Sequence, residues 1–241
     1  MVLVIGGTDP VHGAGVTADL HTLSRHSVRG AVCVTAVTVQ DTCGVHSVTP
    51  IPADVVADQI RFVFGDLHVT AVKIGLLGSG EVAVAVAKAL ETTDVPIVLD
   101  PVLVSSSGRR LLDDEGIEIL RYRLAPRAAL VTPNRNEALA LFGSETPSSP
   151  VPVLVTGGDG DGATVTDVLY LPTRLPTVFR GRRHPGPTVH GTGCRLSTAI
   201  AARLSRREDL EIAVACAIRW TRAEIKRAQS PGHGMRLWRI P

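Results

Sequence analysis

The stretch HPGPTVHGTGCRLSTAIAARL, His184 to Leu204, sets Cys194 directly behind Gly191, Thr192 and Gly193, where an apolar-periodic helix is about to begin. Glycines before such a run leave the first backbone N–H groups pointing outward, and these unpaired donors and the helix dipole both favour an anion. A thiol at that place is expected to have its pKa lowered by the same field. The chemistry on offer is an anion hole with a candidate base beside it. A Gly-rich turn followed by a small buried cysteine is the plainer account of the same residues, and local spacing does not choose between them.

Such a helix front works only if other elements hold it against a second group. VLVI, from Val2, is a continuous apolar run stopped by Gly6 and Gly7, the pattern of a strand buried on both faces. Helical spacing follows in GVTADLHTLSRHS, then a β-branched run AVCVTAVTVQ read as one strand ending at Gln40. The alternation continues: helix DVVADQIRFVFGDL, strand TAVKIGLL, helix EVAVAVAKALE, strand PIVLDPVLV, helix DDEGIEILRYRL, strand AALVTPN, helix RNEALALFG and strand VPVLVTGG. This order calls for a mostly parallel sheet with helices on both faces. TVTDVLYLPTRLPTVFRG has period-2 character and reads as an antiparallel hairpin at the sheet edge. No composition shift divides the chain, so residues 1–241 are read as one domain.

In sheets of this kind ligands sit beyond the carboxyl ends of the strands. There the sequence gathers GGTDPVHGAG, QDT, KIGLLGSG, LDPVLVSSSG, TPNRNEA and TGGDG, a rim suited to a small polar ligand and phosphate. Each element has an ordinary structural use as well. The glycines can make tight turns, Asp19 can complement a helix dipole, Gln40 can satisfy backbone groups, Asp100-Pro101 can end a strand, and Asn134 with Glu137 has capping-box spacing. His12, beside the Gly-rich turn, reads as a surface residue.

Composition narrows the function classes. The 241 residues are 44% hydrophobic and 20% charged, with a net charge of +2, too small to imply a polyanion partner. Only 3% are aromatic, against nucleic-acid binding by stacking. The basic run RGRRHPG, Arg180 to Gly186, reads as a solvated loop. Cys33, Cys43, Cys194 and Cys216 fall at no metal-ligand spacing, which fits reduced thiols in the cytoplasm. No segment reads as a signal peptide or membrane span.

Taken in order, GGTDPVHGAGVTADL, TAVTVQDTCGV, KIGLLGS, LDPVLVSSSGRRLL, TPNRNEA and HGTGCRLS resemble the hydroxymethylpyrimidine/phosphomethylpyrimidine kinases of thiamine biosynthesis, in the ribokinase-like superfamily. The likeness runs from Ile5 to about Ala202, and SPGHGMRLW resembles the family's closing segment. HGTGC with GGTDP and ADL belongs to this branch, which shares it with a group of bacterial pyridoxal kinases. The resemblance implies a ribokinase-like three-layer α/β sandwich and phosphorylation, with ATP and Mg²⁺, of the hydroxymethyl group of 4-amino-5-hydroxymethyl-2-methylpyrimidine, with its monophosphate as a further acceptor. A pyridoxal kinase, or a non-catalytic pyrimidine-binding member, is the alternative. A homodimer is in keeping with the resemblance.

The same resemblance assigns roles. Gln40 would bond the aminopyrimidine edge, with Asp19 and the Gly6-Gly7 backbone near it and Leu76 and Val104 as apolar walls. Asn134 and Glu137 would face the nucleotide phosphates and Mg²⁺, with Thr156 on the nucleotide side. Gly191, Thr192 and Gly193 would form the anion hole and Cys194 the base. The chain also departs from the family pattern. Ser106 and Thr156 stand where lysine is usual, Val11 and His12 replace small residues, and the helix before VLVTGG is largely missing. Arg195 stands where threonine is usual, and is expected to restore positive charge at the phosphate site.

Overall fold

The computed structural model describes residues 1–158, 160 and 162–239. Its strands are Val2–Gly6 (β1), Gly30–Val34 (β2), Ala36–Gln40 (β3), Val45–Pro50 (β4), Ala71–Ile74 (β5), Ile97–Leu99 (β6), Leu130–Val131 (β7), Val153–Val155 (β8), Thr164–Tyr170 (β9) and Thr177–Arg182 (β10). Eight of them form one sheet in the order β10-β9-β8-β7-β6-β5-β1-β2, and β3 with β4 makes a separate antiparallel pair. Pairing is parallel from β2 across to β8, while the β9–β10 hairpin closes the edge antiparallel, where its period-2 pattern places it.

The helices are Gly15–Arg25 (α1), Ala53–Asp66 (α2), Gly80–Ala89 (α3), Asp114–Ile119 (α4), Arg135–Phe142 (α5), Thr192–Leu204 (α6) and Leu210–Ile225 (α7). Alternation along each strand decides which layer covers which face. Leu3, Ile5, Val72 and Ile74 pack with Val56 and Ile60 of α2, Val82 and Val86 of α3, and Ala138 and Leu141 of α5. Val2, Val4, Ala71 and Val98 pack on the other face with Val16 and Leu23 of α1, Ile200 of α6 and Val214 of α7. The expected three layers are present.

Several boundaries differ from the sequence expectation. The run 31–40 is two strands, not one. Thr35 turns the chain out of the main sheet, its N–H bonded to Gly6 O (3.0 Å) and its hydroxyl to Leu76 O (2.5 Å). Gln40 therefore ends a flap strand and not a strand of the main sheet. PIVLDPVLV is a strand only over Ile97–Leu99, because Pro101 has no N–H for the ladder, and residues 103–111 fold back on themselves with Leu111 N donating to Leu103 O (2.8 Å). The helix expected to Leu124 changes register after α4, continuing as a π turn over Leu120–Leu124 and a 3₁₀ turn over Ala125–Arg127. β4 and α7 lie outside the sequence expectation altogether.

Candidate active site

β1 has β2 on one side and β5 on the other, so the chain reverses its winding there, and the crevice beyond such a switch point is where open α/β sheets bind ligands. Gly7 and Leu76 lie together at this point, a Cβ on Gly7 falling 2.7 Å from Leu76 Cδ2. The loop after β1 folds around Asp9, whose carboxylate accepts from Val11 N (2.9 Å) and Ala14 N (2.7 Å) and meets His190 Nε2 at 3.0 Å. Burial opposes that charge, but the bond to His190 and the two amides outweigh it and hold Asp9 below the usual carboxylate range. His190 is next to Gly191, so one hydrogen-bonded pair clasps the first loop to the front of α6.

Gly191 caps α6 with φ 71°, in the left-handed region, and brings no side chain to the helix end. A Cβ there would fall 2.1 Å from Gly13 O, so only glycine allows the two loops to approach this closely. The first intrahelical bond runs from Arg195 N to Gly191 O (3.0 Å). The amides of Thr192, Gly193 and Cys194 thus precede the helical ladder, and Gly193 is exposed at the crevice. The front of α6 is thus uncapped by any side chain.

Beneath this front lies a buried charge cluster. Lys73 of β5, 1% exposed, meets Asp19 of α1 at 3.0 Å and Asp100 at 3.7 Å. Thr198 Oγ1 donates to Asp19 (2.6 Å) and Ser197 Oγ to Asp100 (3.1 Å). Burial works against the Lys73 ammonium, but the two carboxylates outweigh it and hold its pKa above the ordinary lysine range. With one cation between two carboxylates, the more distant Asp100 is pushed up, chiefly by burial. Asp19, expected beside the acceptor pocket, is instead fully buried in this cluster. Lys73 was not singled out from the sequence, although a lysine within the apolar run TAVKIGLL is a visible signal that a partner must exist.

Cys194 hydrogen-bonds Asp100 and receives a backbone bond from Gly15. Its thiol does not behave as the helix front suggested. Burial pushes it up to about 12, Asp100 and Asp19 add to that, and Lys73 and Gly15 only partly offset it. At pH 8 iodoacetamide is expected to modify the exposed Cys43 well before Cys194, whose alkylation should accelerate only above about pH 10. Peptide mapping over a pH series checks this, and fast Cys194 labelling at pH 8 would refute the neutral thiol.

The residues expected on the nucleotide side lie at the ends of β7 and β8. Asn134 Oδ1 accepts from Glu137 N (2.9 Å) and Glu137 Oε2 from Asn134 N (2.9 Å), so the capping box that the spacing also allowed is real. Glu137 Oε1 accepts from Leu103 N (3.4 Å), and Thr156 bridges Asn134 alongside. Among the described residues no three His, Cys, Asp or Glu side chains converge on a metal position. A nucleotide-borne Mg²⁺ needs no such cage, since it keeps phosphates and waters and takes one or two carboxylates, so the single Glu137 fits that role. Ser106 is exposed, and Val104 is 49% exposed on the loop before it. Gln40 Nε2 donates to Thr38 Oγ1 (3.0 Å) on the flap.

Arg195 corrects an expectation. Its side chain turns back from the phosphate front into the protein, donating to His12 O (3.0 Å), His21 Nδ1 (2.8 Å) and Ala18 O (3.3 Å) and lying 4.8 Å from the Trp238 ring. As the fourth residue of α6 it faces α1, and burial of the guanidinium lowers its pKa to about 10. Arg195→Ala is therefore expected to lower the melting temperature while leaving the ATP KM within twofold. A tenfold rise in that KM would return Arg195 to the phosphates. His12 is exposed with φ 60°, and only its carbonyl is engaged by Arg195.

The family model for phosphomethylpyrimidine kinase matches residues 9–238. The chain belongs to that family. It is 35% identical to the hydroxymethylpyrimidine/phosphomethylpyrimidine kinase of Aquifex aeolicus, over 98% of each chain. Among solved structures it is similar to a phosphomethylpyrimidine kinase from Clostridium difficile, with TM-score 0.78 and 31% identity over 93% of this chain and 98% of that one. It is also similar to a pyridoxal kinase from Bacillus subtilis solved as an ADP complex, with TM-score 0.89 and 27% identity over 99% and 96%. Among the described residues no helix is long and apolar enough to cross a membrane.

Proposed function

We propose that this kinase-family protein transfers the γ-phosphoryl group of ATP to the hydroxymethyl group of 4-amino-5-hydroxymethyl-2-methylpyrimidine, in thiamine biosynthesis in the cytoplasm, with residues 1–241 acting as one domain. The observation that carries this reading is the uncapped front of α6, held by the Asp9–His190 pair against the first loop, with the Gln40 flap at the same crevice. Phosphoryl transfer is catalysed by positioning and by donors aimed at the charge on the moving group. The amides of Thr192, Gly193 and Cys194 take the γ-phosphate oxygens. Gln40 orients the pyrimidine edge, and Gly7 and Leu76 give it a floor.

The acceptor oxygen forms its bond to the γ-phosphorus while the bond to the β-phosphate oxygen breaks and ADP leaves with the electron pair. The proton leaves late and passes to the hydrogen-bonded pair of Cys194 and Asp100. Asn134, Glu137 and Thr156 face the nucleotide phosphates. Glu137 would be the protein's partner for a Mg²⁺ carried in with ATP, which would supply positive charge to the nucleotide phosphates.

Pyridoxal is the second acceptor to weigh, because the backbone superposes better on the pyridoxal kinase than on the phosphomethylpyrimidine kinase, 0.89 against 0.78. Backbone likeness reports how elements are placed, whereas acceptor choice depends on side chains, and sequence identity runs the other way, 27% against 31%. A coupled ADP-release assay with hydroxymethylpyrimidine, pyridoxal and no acceptor tests the reading. Hydroxymethylpyrimidine is expected to give the higher kcat/KM. No ADP release with any of the three would leave a binding protein in place of a kinase.

A further inference from the structure

The last described residues run across the site as a strap. At one end Gly234 N donates to Thr42 Oγ1 (3.2 Å) and Met235 N to Thr42 O (2.8 Å), in the turn between β3 and β4, two residues beyond Gln40. The approach is so close that a Cβ on Gly234 would fall 2.1 Å from Thr42 O. In its middle, Arg236 N donates to Thr188 O (2.9 Å) and Arg236 O accepts from His190 N (2.9 Å), adding a short strand-like pairing to the segment that leads into Gly191. At the other end Trp238 Nε1 donates to His190 O (2.8 Å), and its ring stacks on Trp220 at 5.8 Å with the Arg195 guanidinium close by.

These contacts tie together two parts of the site that the main sheet leaves separate. The flap belongs to a two-stranded sheet of its own, and the α6 front is seated on β5 and β6. Arg195 adds a further tie, because the same guanidinium that meets Trp238 also binds His12 O of the first loop and Ala18 O of α1. We propose that residues 232–238 are a positioning element for the acceptor, holding the Gln40 flap at a fixed distance from the phosphoryl front. Gly234 and Trp238 fasten its two ends, with Arg236 and Leu237 held between them by backbone bonds to Thr188, His190 and Gln229, and neither end residue touches the reacting atoms. The inference rests on the kinase reading above for its effect on the acceptor, while the mechanical link itself is independent of that reading.

Two variants release the strap at opposite ends. Gly234→Ala forces it off Thr42, and Trp238→Ala removes its side-chain contacts with His190 O, Trp220 and Arg195. Each is expected to raise the acceptor KM about tenfold and leave the ATP KM within twofold. The double variant should be little worse than either single one, because a strap undone at one end has nothing left to lose at the other. Trp238→Phe, which keeps an aromatic ring, should recover part of the acceptor KM. Amide hydrogen exchange of the ligand-free variants provides the second measurement. Exchange at Asp41 to Gly44 should accelerate in Trp238→Ala, although that residue is remote in sequence from the turn.

Additive effects on the acceptor KM, or an unchanged KM in both single variants, would overturn the strap. So would unchanged exchange at the turn in Trp238→Ala. If the wild type turns over none of the acceptors, the kinase reading falls, and exchange at the turn still decides for or against the link.

Discussion

Lys73→Met is expected to destabilise the fold by about 3–5 kcal/mol at neutral pH, the usual cost of removing one partner from a buried ion pair. Methionine keeps most of the lysine's volume, so the loss is electrostatic and not a cavity. Asp19 is fully buried and Asp100 is 5% exposed, and both would remain without the cation that lies 3.0 and 3.7 Å from them. The hydroxyls of Thr198 and Ser197 donate to them but carry no charge. The variant can avoid burying bare carboxylates only by keeping protons on them, which raises their folded pKa values above the unfolded ones. A raised folded pKa contributes stability that is present below the unfolded pKa and lost as pH rises, so the deficit should shrink from pH 7 towards pH 4. Denaturant unfolding at several pH values gives the measurement, and Asp19→Asn in the same chain should recover part of the loss. A deficit below about 1 kcal/mol at pH 7 would mean that water, and not Lys73, satisfies the carboxylates.

That cluster also shows where sequence reading stops. The sheet, its two helical layers and its hairpin edge follow from strand periodicity, because a strand buried on both faces must be apolar throughout and a half-exposed one must alternate. The first loop, the helix front at Gly191 and the capping box at Asn134 were legible for a similar reason, since glycines and caps act through their own backbone. Side-chain partners separated by long stretches of chain were not. Nothing in TAVKIGLL says that Lys73 meets Asp19 rather than water, and nothing near Arg195 says whether it faces the phosphate or α1. The direction of the Cys194 shift was misread because a helix front is visible in the sequence, whereas the depth of burial that overrides it is not. The flap was missed as a separate pair because AVCVTAVTVQ is β-branched without a break. Only the turn at Thr35, fixed by Gly6 O and Leu76 O, sends its second half elsewhere.

Gly191→Ala is expected to cost about 10²–10³-fold in kcat, the scale of losing one aimed oxyanion donor. Two physical terms force the change. Alanine at φ 71° is strained by roughly 1–2 kcal/mol, and its methyl would lie 2.1 Å from Gly13 O and 2.9 Å from Ala14 Cα. Both neighbours are backbone, so no rotamer change relieves the overlap, and either the first loop or the α6 front must move. The Asp9–His190 pair resists that movement, so the helix front shifts out of line with the acceptor. The expected signature is a loss in kcat that exceeds any rise in the acceptor KM. Gly193→Ala separates fold from chemistry, since a Cβ there meets only Asp100 Oδ1 at 4.0 Å. It should melt like the wild type yet lose turnover, its methyl standing where the phosphoryl oxygens approach. If Gly191→Ala kept full kcat, or if Gly193→Ala turned over like the wild type, the amides at the front of α6 would not be what holds the transferring group.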